Sequence, residues 1–250
     1  MRLVCSKFEE LDLSEIGPVD LCVADPPDNV GKGYDGYQDR LPKTEYQRLI
    51  KEWLRRCCEI TTGPVFFTFS EKWLADVEEA IREHRLKLIQ RCWWYYTFGQ
   101  AARVRYTPCV RPVYWLNDSR IFGQRIRVPS ARQLKYGDKR AKAGGKMPDN
   151  LWAFSRVCGT FHEKRKWHCC QLPEQMVERI ILGHSNPGDT ICDPFVGSGT
   201  TVYCCDRLGR HIVGIDQSQL YLDKIREERE RRANTATSAA VAPGRIEGAA

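Results

Sequence analysis

Two short segments carry residues that could do chemistry, and each follows an apolar run. The first, called the clamp motif below, is Asp25, Pro26, Pro27 and Asp28. Proline lacks a backbone donor and stiffens the turn. The Asp25 carboxylate and the Pro26 carbonyl therefore remain as hydrogen-bond acceptors. An amino group has two N–H donors to offer them, so this motif predicts a site that orients an amine and makes it nucleophilic.

The second segment, residues 193–201, is a glycine-rich turn before a helix and is called the cofactor loop. Gly197 and Gly199 allow a tight turn and close approach of a ligand to the backbone. The loop matches neither the phosphate-binding GK[ST] pattern nor GxGxxG. Asp216 ends the next apolar run, where a carboxylate can accept bonds from both ribose hydroxyls or cap a helix. Asp193 can bind an ammonium group. S-adenosylmethionine satisfies both carboxylates and is the expected cofactor.

Positive charge is concentrated in one part of the chain. The chain has a net charge of +7, while residues 120–168 alone hold thirteen Lys or Arg and three acids, which gives +10. Such a segment is either a solvated basic loop or a surface for a polyanion such as nucleic acid. The candidate phosphate contacts are Arg120, Arg125, Arg127, Arg132, Lys135, Lys139, Arg140 and Lys142.

Length and composition narrow the class of protein. A chain of 250 residues suits a single α/β domain with a sizeable core. No apolar run approaches the ~18 residues of a membrane span, and the N-terminus lacks a signal-peptide pattern, so a cytoplasmic protein is expected. The twelve cysteines include three adjacent pairs and no CxxC. This favours free core thiols over disulfides or a metal site.

Alternating apolar runs and amphipathic segments predict a doubly wound, mostly parallel α/β sheet. Thr44 with Gln47, and separately Ser70, are expected to cap helices. Ligands of such sheets bind at the carboxyl ends of strands. Asp25, Asp193 and Asp216 all lie at the ends of predicted strands and are therefore expected there. Strands are expected at residues 19–24, 65–69, 86–96, 112–116, 190–192 and 211–215, and helices at 70–81, 173–184, 200–208 and 218–232.

The predicted organisation is one domain over residues 1–232. Residues 120–150 lose periodicity and are rich in Arg, Lys, Gly and Ser, which indicates an inserted segment rather than a second domain. Residues 233–250 are small, of low complexity, and expected to be disordered.

Taken together and in this order, the two motifs resemble the β-class amino-methyltransferases of DNA, which modify adenine N6 or cytosine N4. The resemblance spans about residues 19–230. In that family the catalytic motif comes first, then a target-recognition segment, here about residues 100–150, then the cofactor motif. This is the reverse of the commoner methyltransferase order, and it implies a Rossmann-like sheet that is circularly permuted.

The resemblance also implies roles for single residues. Phe195 is expected to lie against the adenine of the cofactor, and Asp216 to bind its ribose. Residues 167–173, which include His168 and Pro173, are similar to the family's His-Pro-x-Gln-Lys-Pro segment, which lines the methionine end of the cofactor. The remaining expected cofactor contacts are Asp193, Gly197, Ser198, Gly199 and Thr200.

Two positions depart from the family's pattern. Asp28 stands where the family usually has an aromatic ring that stacks on the target base, and a carboxylate cannot stack. Leu172 stands where the family often has lysine. Another ring must therefore hold the base, and the candidates are Tyr34, Tyr37, Phe98 and Trp152.

The resemblance implies site-specific methylation of adenine N6 in DNA. An aspartate rather than a serine opens the clamp motif here, as in most adenine members of the family. Cytosine N4 is the alternative target. A methyltransferase-like DNA-binding subunit without catalysis and a nucleotide-binding oxidoreductase are the rival classes. The target base must be flipped out or single-stranded, because a base inside a duplex cannot reach the clamp. A homodimer is left open, and no metal is expected.

Overall fold

A computed structural model describes residues 1–96, 104, 106–140 and 144–241 of the chain. Within these residues, an eight-stranded sheet is accompanied by a two-stranded hairpin. The strands are β1 (Arg2–Cys5), β2 (Leu21–Ala24), β3 (Gly33–Tyr34), β4 (Tyr37–Gln38), β5 (Val65–Thr68), β6 (Leu88–Tyr95), β7 (Val110–Leu116), β8 (Leu151–Ala153), β9 (Thr190–Asp193) and β10 (His211–Asp216).

The order of strands across the sheet is β1-β10-β9-β2-β5-β7-β6-β8. The first five strands in this order run parallel, and β7 is antiparallel to both of its neighbours. β2, from the start of the chain, lies beside β9, from near its end. The sheet therefore has a topological switch point there, which is where open α/β sheets bind ligands. The predicted doubly wound, Rossmann-like fold is confirmed.

The helices of the described residues cover both faces of the sheet. Apolar side chains at helical spacing, such as Tyr46, Ile50 and Trp53 in the first helix, form the buried faces. The first two helices pack in one apolar cluster, and the last three in the other. The helices are α1 (Lys43–Ile60), α2 (Leu74–Glu83), α3 (Ala131–Tyr136), α4 (Glu174–His184), α5 (Thr200–Leu208) and α6 (Gln219–Val241).

The expectations about two helix caps are wrong. Pro42 holds the N-cap position of α1, so Thr44 lies inside the helix. Gln47 donates to the Asp76 carboxyl at 2.7 Å instead of completing a capping box, because it faces α2. Ser70 precedes a short 3₁₀ turn but makes no capping bond through its side chain.

Short regular elements occur where loops were expected. Residues 28–42 are rich in Gly, Asp and Tyr, which predicts a loop, but β3 and β4 pair within them. α3 lies within residues 120–150, where Ser130 and Gln133 form a capping box and Gly137 ends the helix with a φ of +60°. α6 continues to Val241, and residues 242–250 of the predicted tail lie outside the described residues. Within the described ranges, no helix has both the length and the apolar character needed to cross a membrane.

Candidate functional site

Three aspartates lie at the carboxyl ends of neighbouring strands. Asp25 directly follows β2, Asp193 ends β9 and Asp216 ends β10. β9 lies between the other two strands, with Cys192 opposite Cys22 and Asp193 opposite Gly214. The sheet thus brings the start of the chain and its last third to one edge, next to the switch point.

The three aspartates line one cavity. Its empty volume is about 860 Å³, counted with the open solvent at its mouth. This lies within the usual range of sites for small molecules, ~300–1,000 Å³. Carboxylates outnumber basic groups in the described lining, which favours a cationic ligand over one that carries phosphates. The charged lining residues are Lys7, Glu9, Asp25, Asp35, Asp193 and Asp216.

Asp193 is fixed at the floor of the cavity by the cofactor loop. Its Oδ1 accepts a bond from the Phe195 backbone N–H at 3.0 Å, and its Oδ2 accepts one from the Thr201 hydroxyl at 2.5 Å. The residue is 6% exposed. Burial raises the pKa of this carboxyl to about 7, although the hydrogen bonds oppose the rise. Asp193 is therefore a carboxyl that a bound cation would ionise.

Asp216 holds the other end of the cofactor loop. Its Oδ2 accepts from the Gly197 backbone N–H at 3.0 Å and its Oδ1 from the Ser218 N–H at 2.9 Å. The carboxyl thus fixes the turn before α6 while it lines the cavity. Gly197 has a φ of +42°, and a Cβ there would lie 2.8 Å from His168 Nε2. A side chain at 197 would therefore collide with the cavity wall.

Aromatic rings form an apolar wall of the cavity. The Phe195 ring contacts Phe8 with centroids 5.8 Å apart and Trp53 with centroids 5.2 Å apart, both edge to face. The three rings give the cavity an apolar wall at the cofactor loop, where Phe195 is expected to contact the cofactor's adenine.

His168 lies on the opposite wall as a neutral ring. Burial lowers its pKa to about 4, and its Nδ1 is bonded to the Cys170 carbonyl. Its ring packs against Tyr221, with centroids 4.7 Å apart, and against Tyr34 at 5.7 Å. Above pH 5 this wall adds no positive charge to the acidic cavity.

The clamp motif forms the third side of the cavity. Asp25 Oδ1 accepts from Arg111 Nη2 at 2.7 Å, and 25% of the Asp25 side chain is exposed. Burial raises the pKa of Asp25 to about 6; Arg111 lowers it and Asp28 raises it. The carboxylate is consequently ionised at neutral pH and accessible from the cavity.

The remaining clamp residues hold the turn in place. The Tyr46 hydroxyl donates to the Pro27 carbonyl at 2.5 Å. Asp28 turns its carboxylate away from the cavity, accepting from Arg111 and from the Ser70 backbone N–H. Pro26 is buried. The turn is therefore rigid, with Asp25 as its accessible charged group.

Four residues predicted for the site do not reach the cavity lining. The clamp motif lines the cavity only at its first and third residues, and the cofactor loop lines it at all but one position. The remaining residue is the N-cap of α4, just after the His168 segment. These four residues are Pro26, Asp28, Gly199 and Pro173. Ser198 and Thr200 are in the lining, as expected.

The candidate replacements for a stacking ring fall into different places. Tyr34 and Tyr37 line the cavity. Trp152 is buried in the core with Phe66, so it cannot reach a base. Phe98 lies outside the described residues.

Residues 19–227 match the family of N6 and N4 DNA methylases. The chain belongs to this DNA methylase family. It is 34% identical over 244 residues to the type II methyltransferase M.HpaI of Haemophilus parainfluenzae, with 93% of this chain and 75% of M.HpaI covered. It is 29% identical over 221 residues to the DNA adenine methyltransferase YhdJ of Escherichia coli K12, with 82% and 74% covered.

The fold of this methylase also matches solved structures. The crystal structure of an M1.HpyAVI–SAM complex superposes with a TM-score of 0.59 at 19% identity, covering 91% of this chain and 98% of that one. At this level of identity the likeness establishes the shared fold. The N6/N4 DNA methyltransferase activity follows from the family.

Two of the predicted DNA contacts of the methylase are used inside the fold. Arg120 Nη2 donates to the Asp20 carbonyl at 2.7 Å, and Arg125 donates to Ser185 O and Asn186 Oδ1, each at 2.9 Å. Asp20 precedes β2, whereas Asp25 follows it. Arg120 therefore lies at the sheet edge opposite the cavity, and both guanidinium groups already have hydrogen-bond partners within the fold.

The other predicted DNA contacts differ in how they are engaged. Arg127 donates to the Gly145 carbonyl. Arg140 pairs with Asp138 at 2.9 Å but remains 85% exposed. Lys142 lies outside the described residues. Arg132, Lys135 and Lys139 are exposed on or after α3.

Sequence reasoning missed three parts of the site. Residues 6–9, which follow β1, line the cavity, and the strand-end rule that located Asp25 would have found them. Asp35 accepts from the Ser218 hydroxyl at 2.5 Å through the β3–β4 hairpin, where the sequence predicts an irregular loop. Arg111 had no signal, because it meets the clamp motif only when β7 folds beside β5.

Proposed function

We propose that this methylase transfers a methyl group from S-adenosylmethionine to the N6 amine of adenine at a specific DNA sequence. The observation that carries the proposal is the shared cavity, in which Asp25 of the clamp motif faces the same space as Asp193 and Asp216. An amine held at Asp25 would lie beside a cofactor held by the other two carboxylates. Methyl transfer requires this adjacency.

The residues present fit this cofactor. Its ammonium suits Asp193, its ribose hydroxyls suit Asp216, and its adenine suits the apolar wall at Phe195. The Tyr37 hydroxyl is buried in the lining and has no hydrogen-bond partner among the described residues. A polar ligand would give it one. M1.HpyAVI, which shares this fold, was crystallised as a complex with the same cofactor.

When bound, S-adenosylmethionine supplies an electrophilic methyl group on a sulfonium. The Asp25 carboxylate, which lines the cavity, would accept an N–H bond of the target amine and turn its lone pair toward that methyl group. Held by Asp193, Asp216 and Phe195, the sulfonium would supply this methyl group and keep the electron pair of its S–C bond, while the amine lone pair would form the new N–C bond. The nitrogen becomes cationic and loses a proton. Asp25, with a pKa of about 6, stabilises that cation and can take up the proton.

The base must leave its stack to reach Asp25, because the carboxylate lies inside a cavity. Tyr34 is the ring we favour for holding it. Tyr34 lies close enough to Asp25 for the carboxylate to contribute to the raised pKa of its hydroxyl, after the larger effect of burial. Exposed Lys135 and Lys139 would contact phosphates and supply affinity without sequence choice.

Adenine is favoured over cytosine because the clamp motif opens with aspartate and because the relative YhdJ is named an adenine methyltransferase. Cytosine N4 methylation would use the same cavity and the same residues. We also propose that the protein works in the cytoplasm, since all twelve cysteines are free thiols.

The test is incubation of DNA with methyl-labelled cofactor, followed by digestion to nucleosides and mass detection. Label on N6-methyl-2′-deoxyadenosine supports the proposal, and label on N4-methyl-2′-deoxycytidine supports the alternative. Asp25→Asn should lose at least about 10²-fold in kcat, as expected when an amine loses its acceptor. The matched control is Asp149→Asn at an exposed ion pair with Lys146. No label with the cofactor bound would overturn the proposal.

A further inference from the structure

One buried guanidinium links the two carboxylates of the clamp motif. Arg111 donates from Nη2 to Asp25 Oδ1 at 2.7 Å, from Nη1 to Asp28 Oδ2 at 2.5 Å, and from Nε to Thr68 Oγ1 at 3.0 Å. All three nitrogens of the group are engaged. Only 15% of the Arg111 side chain is exposed. A guanidinium held at three points presents a rigid plane.

Asp28 is itself held from two sides. Its second carboxylate oxygen, Oδ1, accepts a hydrogen bond from the Ser70 N–H at 2.9 Å, and its backbone carbonyl accepts one from Trp73 Nε1 at 2.8 Å. These bonds tie the clamp turn to the segment after β5. The side chain that stands in the position of a stacking ring is therefore a fixed counter-ion for Arg111.

The charges of this triad explain why it is built this way. Two carboxylates alone in a partly buried turn would repel each other, and one of them would take up a proton. Arg111 opposes this repulsion, because its positive charge lowers the pKa of Asp25. Burial lowers the pKa of Arg111 and the two carboxylates raise it, with a net rise, so the guanidinium stays charged.

Arg111 also fixes the orientation of the Asp25 carboxyl. Among the described residues, Arg111 is the hydrogen-bond donor found for this group, and it contacts Oδ1. The second oxygen, Oδ2, remains for the substrate amine. A carboxyl group with one anchored oxygen cannot rotate freely, so the acceptor is positioned before the amine arrives.

We propose that Arg111 is a positioning residue for methyl transfer, which acts through Asp25, and that Asp28 holds Arg111 and limits its pull on Asp25. This rests on the proposed function, since it assigns Asp25 as the acceptor of the target amine. It gives Asp28 a role different from that of the aromatic ring whose position it occupies.

Other groups also face Asp25. Asp193 approaches from β9, and Tyr34 and Cys170 approach from the hairpin and the His168 segment. Burial raises the pKa of Tyr34, so that it stays neutral in the tested range. The pKa of Asp193, about 7, is close to that of Asp25, about 6, but neither Arg111 nor Asp28 forms a hydrogen bond with Asp193. Changes at these two residues therefore report on Asp25.

The experiment measures kcat against pH for Arg111→Met and Asp28→Asn with saturating cofactor and DNA. Arg111→Met removes the group that lowers the pKa of Asp25, so the acid limb should move up by roughly one pH unit. Asp28→Asn removes a charge that raises the pKa of Asp25, so the acid limb should move to lower pH. Arg111→Met should also lose about 10²-fold in kcat at pH 8, because Asp25 loses its anchor.

Arg111→Lys and a control pair complete the design. Lysine keeps the charge without the three-way contact, so its acid limb should stay near that of the wild type while kcat remains reduced. Arg91, on the neighbouring strand β6, makes a similar two-contact ion pair with Glu78 of α2, and neither residue is in the cavity lining. Arg91→Gln breaks this pair and should move neither quantity.

The outcomes separate the two claims. Opposite shifts of the acid limb, with DNA affinity unchanged in a fluorescence anisotropy assay, support the proposal. The proposal is overturned if the acid limbs of the two variants shift equally or not at all. It is also overturned if the variants lose only DNA affinity. Methylation by the wild-type enzyme is measured first. If that is present, the proposed function stands whatever the variants show.

Discussion

Asp193→Asn should make the cofactor-free protein more stable at pH 8 and abolish tight cofactor binding. Asparagine has nearly the same shape, and it can keep both native contacts: its oxygen accepts from the Phe195 N–H, and its amide donates to the Thr201 hydroxyl. The substitution therefore removes mainly a buried negative charge. The cofactor's ammonium would lose its counter-ion.

The size of the effect follows from the pKa. The folded-state pKa of Asp193 is about 7, roughly three units above 3.8, and each unit is worth ~1.4 kcal/mol. Because the folded pKa is raised, the folded state holds a proton that the unfolded chain has released. Stability therefore falls as pH rises from about 4 to 7 and is flat above. From pH 5 to pH 8 the wild-type protein loses about 2 to 3 kcal/mol of stability through Asp193, and the variant does not lose it.

The measurement is thermal and urea unfolding of both proteins, without cofactor, at pH 5 and pH 8. For a chain of this length ~1 kcal/mol shifts Tm by ~2–4 °C, so the Tm difference between variant and wild type should widen by roughly 5–10 °C. Asp12→Asn is the control. Its exposed carboxyl caps a turn and has a lowered pKa, so that variant should be destabilised at high pH.

Two results would refute this reasoning. The first is a stability difference that does not change with pH, which would mean that Asp193 is not a buried acid titrating near neutrality. The second is a variant that is less stable at pH 8 yet binds S-adenosylmethionine normally, which would make Asp193 purely structural. Calorimetric titration of the cofactor at both pH values distinguishes the two.

Three further predictions concern the cavity and the basic segment. Gly197→Ala should weaken cofactor binding at least about tenfold by calorimetry, because its Cβ would collide with His168 in a left-handed backbone. Tyr46→Phe should cost about 1–2 kcal/mol of stability in urea unfolding, because the Pro27 carbonyl loses its donor. Replacing Lys135 and Lys139 with Gln should reduce the slope of log Kd against log salt by about two in a DNA titration, whereas an unchanged slope would place DNA elsewhere.

Much of the site was predictable because the parallel sheet imposes a simple rule. Asp25, Asp193 and Asp216 each follow a buried apolar run, and in a doubly wound sheet all such ends meet at one edge. Gly-rich and Pro-rich turns identify which of these ends face a ligand. The sequence therefore located the cavity without any knowledge of strand order.

Long-range contacts between polar groups were not predictable in this way. Arg111 and Asp28 are separated by 83 positions in the chain, and no local pattern links an arginine to a particular carboxylate. The same limit applies to Arg120 and Arg125. Their charge suggests a nucleic-acid contact, and no local pattern predicts that each guanidinium also donates to a backbone carbonyl, of Asp20 and of Ser185.

The acidic cavity and its arginine suit the two halves of the reaction. A carboxylate with a raised pKa costs stability in the empty fold, and a cationic ligand returns that free energy on binding. Asp193 and Asp216 have no arginine partner among the described residues, which leaves their charge for the cofactor. In the proposed mechanism Asp25 must be ionised before the target amine becomes cationic, and Arg111 favours this because it lowers the pKa of Asp25. An arginine beside Asp193 would compete with the cofactor's ammonium group for that carboxylate. This is a physical reason why, among the described residues, an arginine partners Asp25 but not Asp193.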